Sequence, residues 1–277
     1  MKKIAVIITT IFLTAFTSVI LTIYVIDTSE TPEIYDVYNI DSEILSEKRE
    51  IIVKKPANYK ENTDRKYPVI YVFGGNTLTY SIAYDTELLT RTEHIQPVIV
   101  VGVSNISQKT RQRDLTPPFM KQDIDEQDSP LGKADIYLDF IKKEIIPLID
   151  QKYRTSSNRL AVGHSREGLM VMYSLISKPN LFQGHIALSP ALWRENNVFV
   201  RHFKEYLNKN DSIKSRLFLS MGEQEVDKMK KAFDFTIDIL ESDTTNKWKS
   251  MYTKDATHDN NALLSAPIGI EWILNNN

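Results

Sequence analysis

The segment with the clearest chemical potential is Leu160-Ala161-Val162-Gly163-His164-Ser165-Arg166-Glu167-Gly168-Leu169. An apolar run ends in Gly-His-Ser and a pattern of helical period starts at once, so Ser165 falls on a sharp strand-to-helix turn. Such a turn lifts a serine hydroxyl above the sheet edge, beside the positive end of the following helix, where backbone N–H groups can stabilise an oxyanion. The usual G-x-S-x-G pattern is broken at one place, with Glu167 at the second glycine position and Gly168 one residue later. Ser165 and Glu167 would equally serve as a helix N-cap with an acidic first turn, so the serine gains meaning only if a base can reach it.

The chain has five histidines. His94, His164, His185 and His202 each have a packing or surface explanation. His258 lies in the polar loop Lys254 to Asn260, after the last strand-like run and before a closing helix from Leu263 to Leu274. Sites in open α/β sheets form beyond the carboxyl ends of the strands, which puts His258 on the same face as Ser165. The third group, an acid to orient the imidazole, belongs at the end of the preceding strand. There Leu217 to Gly222 opens into Glu223-Gln224-Glu225-Val226-Asp227, three carboxylates where one is needed. The order serine, acid, histidine suits the fold. Glu225 is favoured because the chain has by then turned toward the crevice; Glu223 and Asp227 are the alternatives.

The elements that must carry these residues are legible as alternation. Strand-like runs occur at Arg49 to Val53, Tyr67 to Phe73, Val98 to Val103, Leu160 to Gly163, His185 to Leu188, Leu217 to Ser220 and Lys247 to Tyr252. Several are continuously apolar, as strands buried on both faces of a parallel sheet must be. Between them, Ile136, Phe140, Ile141, Ile145 and Leu148 recur at helical spacing, as do Leu169, Met172, Tyr173 and Ile176, and Met229, Phe233, Ile237 and Leu240. Strand then helix, repeated, predicts a mostly parallel, doubly wound α/β sheet flanked by helices. The polar stretch Thr110 to Gly132, with Pro117, Pro118 and Pro130, reads as a long functional or disordered loop.

Residues 1–26 read as a signal or membrane anchor, 27–46 as a spacer or edge element, and 47–277 as the α/β domain. Lys2 and Lys3 precede an uncharged run, Ile4 to Ile26, long enough as a helix to cross a hydrocarbon core of roughly 30 Å. Acidic residues follow the run, so the lysines should stay inside and the remainder be exported. The run is longer than a usual signal and no A-x-A tripeptide closes it, which favours retention over cleavage. The formal net charge of -2 gives no sequence-wide basic footprint for nucleic acid. With no cysteine, disulfides, thiol nucleophiles and cysteine metal sites are excluded. No H-E-x-x-H, P-loop or dinucleotide glycine fingerprint is present, so neither metal nor organic cofactor is expected.

The residues together resemble the esterase branch of the α/β-hydrolase superfamily, the group of esterase D and the enterochelin-esterase-like enzymes. The resemblance covers most of Arg49 to Leu274. It rests on Tyr67-Pro68-Val69-Ile70-Tyr71 leading into Gly74-Gly75-Asn76, on Arg111-Gln112-Arg113-Asp114-Leu115-Thr116-Pro117, on Gly163-His164-Ser165, on Ser189-Pro190-Ala191-Leu192-Trp193 and on Thr257-His258. It implies an α/β-hydrolase fold with Ser165 as nucleophile, His258 as base and an acid between Glu223 and Asp227. It also implies an oxyanion hole made by the N–H of Arg166 and one from the loop at Gly75 and Asn76. The reading that follows is an exported or membrane-anchored serine hydrolase, cleaving a small-molecule or glycan ester through an acyl-enzyme. Arg111, Arg113 and Trp193 lie in the segments expected to border the crevice and are candidates for substrate binding by charge or stacking; Arg113 could instead pair with Asp114 to brace a loop. The alternative is a cell-surface binding or scaffold protein that keeps the fold without turnover, which Glu167 suggests. Because a carboxylate facing the nucleophile would oppose a developing oxyanion, Glu167 is expected to point away over the sheet edge.

Overall fold

The computed structural model of the protein describes residues 35–276. The apolar run at 4–26 lies outside the described residues, and among the described residues no helix is long and apolar enough to cross a membrane. One compact unit extends from Val37 to the C-terminus; Met1–Asp36 separates as a second unit, of which only Tyr35 and Asp36 are described.

Eight strands make one sheet: β1 (Tyr35–Ser42), β2 (Glu47–Lys54), β3 (Tyr67–Phe73), β4 (Ile99–Val103), β5 (Thr155–His164), β6 (Gly184–Leu188), β7 (Arg216–Gly222) and β8 (Trp248–Thr253). Their order is β1-β2-β4-β3-β5-β6-β7-β8. β2 runs antiparallel to β4, and every pairing from β4 across to β8 is parallel. All seven expected strands are present; most differ by one or two residues at their ends, while β5 begins at Thr155, five residues before the expected Leu160. The centre of the sheet is buried and, apart from His185 in β6, apolar, as parallel strands covered on both faces require: every residue of β3, β4 and β6 is buried. β1 supplies the edge, within the segment expected to be a spacer or edge element, and its burial alternates along the strand.

The helices are α1 (Asn76–Arg91), α2 (Gln108–Asp114), α3 (Ala134–Phe140), α4 (Ile146–Lys152), α5 (Arg166–Ser177), α6 (Arg194–Asn210), α7 (Asp227–Leu240) and α8 (Asn261–Asn275). A π turn, Ile141–Ile145, joins α3 to α4. Pro147 explains it, because proline has no N–H to give to the carbonyl four residues back, and the ladder widens there. This is an α/β-hydrolase fold.

The stretch from Thr110 to Gly132 is ordered rather than disordered. Its start is helix α2, closed by a reciprocal cap between Ser107 and Thr110. The loop beyond is held by two buried arginines: Arg166 Nη1 donates to Thr116 Oγ1 at 2.7 Å and to the Gln122 carbonyl at 2.9 Å, and Arg194 Nη2 donates to the Lys121 carbonyl at 2.9 Å. Burial, with Arg194 and Arg111 nearby, brings the Arg166 guanidinium down to about 10.

Candidate active site

β3 and β5 are neighbours, with Phe73 opposite Gly163 in the ladder. The helices that follow them, α1 and α5, begin at Asn76 and Arg166, so two helix N-termini lie along the same sheet edge. The chain reverses at Ser165 itself, which adopts φ 60° and ψ −116°. A non-glycine residue in that region costs roughly 1–3 kcal/mol and persists only when its surroundings fix it. They do so here through three backbone bonds. Ser165 N–H donates to the Leu188 carbonyl at 2.9 Å, and the Ser165 carbonyl accepts from Leu169 and from Ala191, both at 3.0 Å. Of the nearby glycines, Gly163 is sterically required and Gly168 is tightly packed. A Cβ on Gly163 would lie 2.4 Å from the Glu167 carbonyl oxygen, and one on Gly168 would lie 3.1 Å from the Leu188 carbonyl oxygen.

His258, in the loop between β8 and α8, reaches this turn. Its Nε2 lies 3.0 Å from Ser165 Oγ and its Nδ1 lies 2.9 Å from Glu225 Oε2. A carboxylate can only accept, so Nδ1 carries the proton toward Glu225 and Nε2 is left to accept from the serine hydroxyl. Of the three acids open to the sequence, the structure brings Glu225 into this contact. Glu223 instead accepts from the Asp255 N–H at 3.1 Å, and Asp227 stands exposed at the start of α7, 3.4 Å from Lys230.

Glu225 is 5% exposed. Burial by itself would raise its carboxyl, but hydrogen bonds from His258, from Ser189 Oγ at 2.5 Å and from Gly222 N–H at 2.9 Å hold it below the usual carboxylate range. Behind Ser189 is a buried polar network that sequence reasoning missed. Asn261 Nδ2 donates to Ser189 Oγ at 2.8 Å and to Ser220 Oγ at 3.0 Å, while Thr253 Oγ1 donates to Asn261 Oδ1. The only signal for it was Ser189 within the S-P-x-L-W run. His164 was also passed over. Its Nε2–H donates to the His258 carbonyl at 2.8 Å, and burial, with His258 beside it, lowers its affinity for a proton. It steadies the loop that carries the imidazole.

A cavity of about 420 Å³ opens beside this constellation, lined by Gly74, Gly75, Asn105, Arg111, Glu167 and Leu263 among others. Ser165 and His258 do not line it themselves, but their chain neighbours His164, Glu167 and Asp259 do. The expectation for Glu167 is overturned here. Its side chain does not turn away over the sheet edge: it borders the cavity and lies against Gly74, where an added Cβ would come within 2.5 Å of Glu167 Cγ. The charge is instead cancelled by Arg111, whose Nε and Nη2 donate to the two Glu167 oxygens at 2.5 and 2.6 Å. Despite the cost of burial, that carboxylate raises the Arg111 guanidinium above its ordinary value.

Of the three expected substrate-binding residues, only Arg111 borders the cavity. Arg113 is a brace: its Nε donates to Asp114 Oδ1 at 2.7 Å and its Nη2 to Glu47, while buried Arg49 takes the other Asp114 oxygen at 2.5 Å. Trp193 is half-buried, packed against the core, with the ammonium of Lys228 3.7 Å from its ring centre. Among the described residues no group of three or more His, Asp or Glu side chains is placed to hold a metal ion.

The family model named "Putative esterase" matches residues 42–260. The chain belongs to this esterase family. It is similar to the ferri-bacillibactin esterase BesA of Bacillus subtilis, 29% identical over 57% of this chain and 60% of that protein. It is also similar to a siderophore enterobactin esterase of Emericella nidulans, 29% identical over 64% of this chain and 65% of that one. The chain thus spans somewhat less than two thirds of the length of these curated relatives. Among solved structures, an IroE-like serine hydrolase from Shewanella oneidensis superposes with a TM-score of 0.78 at 25% identity, over 87% of this chain and 80% of that chain.

Proposed function

We propose that the protein is a serine hydrolase that cleaves carboxylic esters through an acyl-enzyme, with Ser165 as nucleophile, His258 as general base and acid, and Glu225 as the group that orients the imidazole. The observation that carries this reading is the unbroken run of contacts from Ser165 to His258 to Glu225, 3.0 and 2.9 Å long, with a defined tautomer. Ser165 Oγ adds to the ester carbonyl as its proton passes to His258 Nε2. The resulting imidazolium faces a buried carboxylate, which stabilises it. Collapse of the tetrahedral intermediate expels the alcohol with that proton, and a water then attacks the acyl-serine by the same route in reverse. The oxyanion donors we assign are the N–H groups of Arg166 and Asn76. Both open a helix, where first-turn N–H groups have no helical acceptor, and the two helices start from adjacent strands. Such a donor contributes roughly a hundredfold or more to kcat.

The substrate class is a small-molecule ester. Two relatives are named for siderophore esters, and we carry only the ester chemistry over to this chain. The non-catalytic alternative rested on Glu167, and its pairing with Arg111 removes that support. For location, Lys2, Lys3 and the uncharged run to Ile26 support an exported, membrane-anchored protein. The test of the chemistry is ester hydrolysis by Ser165→Ala and His258→Ala. Each variant should keep the parent's circular dichroism and thermal transition and lose at least a thousandfold in kcat. Near-parental turnover by either one refutes the assignment.

A further inference from the structure

Among the described residues, Arg111 is the only lysine or arginine on the cavity wall. Left alone it would make the crevice a receptor for anions, because a guanidinium offers a planar fork of donors to carboxylate or phosphate. The Nε/Nη2 edge of that fork is already occupied, and its charge is neutralised. Glu167 takes both Nε and Nη2, its carboxylate is buried at 6% exposure, and it is seated against Gly74, so the pair is a fixed part of the wall. Asp259 adds a negative charge at the rim. Phe73, Leu78, Ala262 and Leu263 supply an apolar surface. The other polar side chains on the wall, Thr77, Asn105, Ser107 and His164, include no lysine or arginine, and both amide atoms of Asn105 are buried without a partner among the described residues.

We propose that this crevice selects esters of uncharged acyl groups, and that Glu167 is the residue that sets this selectivity by cancelling Arg111. The inference rests on the serine-esterase reading above and deepens it. An anionic acyl group entering the crevice would meet Glu167 and Asp259 with the compensating cation already engaged, whereas a neutral acyl chain loses nothing and covers the apolar wall. The other nearby cations do not alter this, because Arg166 and Arg194 aim their guanidinium groups at Thr116 and at the carbonyls of Lys121 and Gln122, and neither lines the cavity.

The test uses two esters of equal chain length and the same leaving group, p-nitrophenyl hexanoate and mono-p-nitrophenyl adipate, which differ by a terminal carboxylate. The parent should prefer the hexanoate in kcat/KM. Glu167→Gln should raise the ratio of adipate to hexanoate roughly tenfold, the scale of one charge-assisted hydrogen bond released to the substrate. Arg111→Gln, which leaves Glu167 without its partner, should move the ratio the other way, and the double variant Arg111→Gln/Glu167→Gln should return it toward the parent's. A parent that prefers the adipate, or a ratio unchanged in Glu167→Gln, overturns the proposal while leaving the esterase reading intact. Absence of hydrolysis of both esters by the parent removes the esterase reading on which the proposal stands. Should Glu167→Gln fail to fold, Arg111→Gln with the parent still decides: no fall in the ratio counts against the proposal.

Discussion

Replacing Glu225 by glutamine changes one atom and tests the role given to that carboxylate. Glu225 Oε1 accepts two hydrogen bonds, from Ser189 Oγ at 2.5 Å and from Gly222 N–H at 2.9 Å, while Oε2 accepts only the Nδ1–H of His258 at 2.9 Å. A glutamine amide has one oxygen. If it keeps the Ser189 and Gly222 bonds, its NH2 faces His258 Nδ1. The alternative orientation sets NH2 against the Gly222 N–H, a donor that cannot turn into an acceptor, and leaves that buried group unsatisfied at a cost of about 1–3 kcal/mol, so the first orientation wins. An amide NH2 donating to Nδ1 forces the proton onto Nε2, and His258 then points a donor at Ser165 Oγ instead of a lone pair. Glu225→Gln should therefore lower kcat by roughly a thousandfold to ten-thousandfold, equivalent to about 4–5.5 kcal/mol of transition-state stabilisation. KM should change little, because the acid touches no substrate. The assay is steady-state hydrolysis of a p-nitrophenyl ester, with thermal melting to confirm the fold. A loss below tenfold in folded Glu225→Gln, or a larger loss from Asp227→Asn, refutes the reasoning.

The same carboxylate predicts an acid limb in stability. Its folded-state affinity for protons is depressed, so it contributes stability above its unfolded value, near pH 4.3, and that contribution is lost as pH falls through the lower folded value. Urea melts from pH 6 downward should show a shallower loss in Glu225→Gln than in the parent. Gly163→Ala should cost about 2 kcal/mol or more, because its Cβ would lie 2.4 Å from a backbone oxygen that cannot swing away; an unchanged melting curve would contradict the packing described. Arg113→Leu should destabilise the fold by about 1–3 kcal/mol, through loss of its contacts with Asp114 and Glu47, and leave kcat/KM unaltered. A tenfold rise in KM would show that Arg113 does reach the substrate.

Much of this site was legible because the sheet is buried on both faces. Short apolar runs such as Tyr67 to Phe73 and Leu217 to Ser220 read as central strands, and sites beyond their carboxyl ends follow from the topology. Helix α1 was not read, since threonines share its buried face: Thr79 and Thr86 are buried with Ile82 and Ala83, so apolar periodicity is weak there. The structure parts Arg111, which lines the cavity, from Arg113, which does not, for a geometric reason. On helix α2 residues two apart project to roughly opposite sides, so only one of them could face the crevice. Read as a loop, the segment gave no reason to separate them. Ser189, Asn261 and the Arg111–Glu167 pair depend on contacts between residues far apart in the chain, and no local pattern records such contacts. Glu167 shows the cost of that: as a departure from G-x-S-x-G it argued against activity, and its partner lies 56 residues away.

The central claim is that Ser165 is a nucleophile activated by His258, and its most direct measurement is covalent labelling with a fluorophosphonate followed by intact-mass and peptide analysis. The account predicts one adduct per chain, located on Ser165, forming in the folded parent and slowed by orders of magnitude in His258→Ala. A folded parent that takes up no label, or that takes it up at a residue other than Ser165, would contradict it.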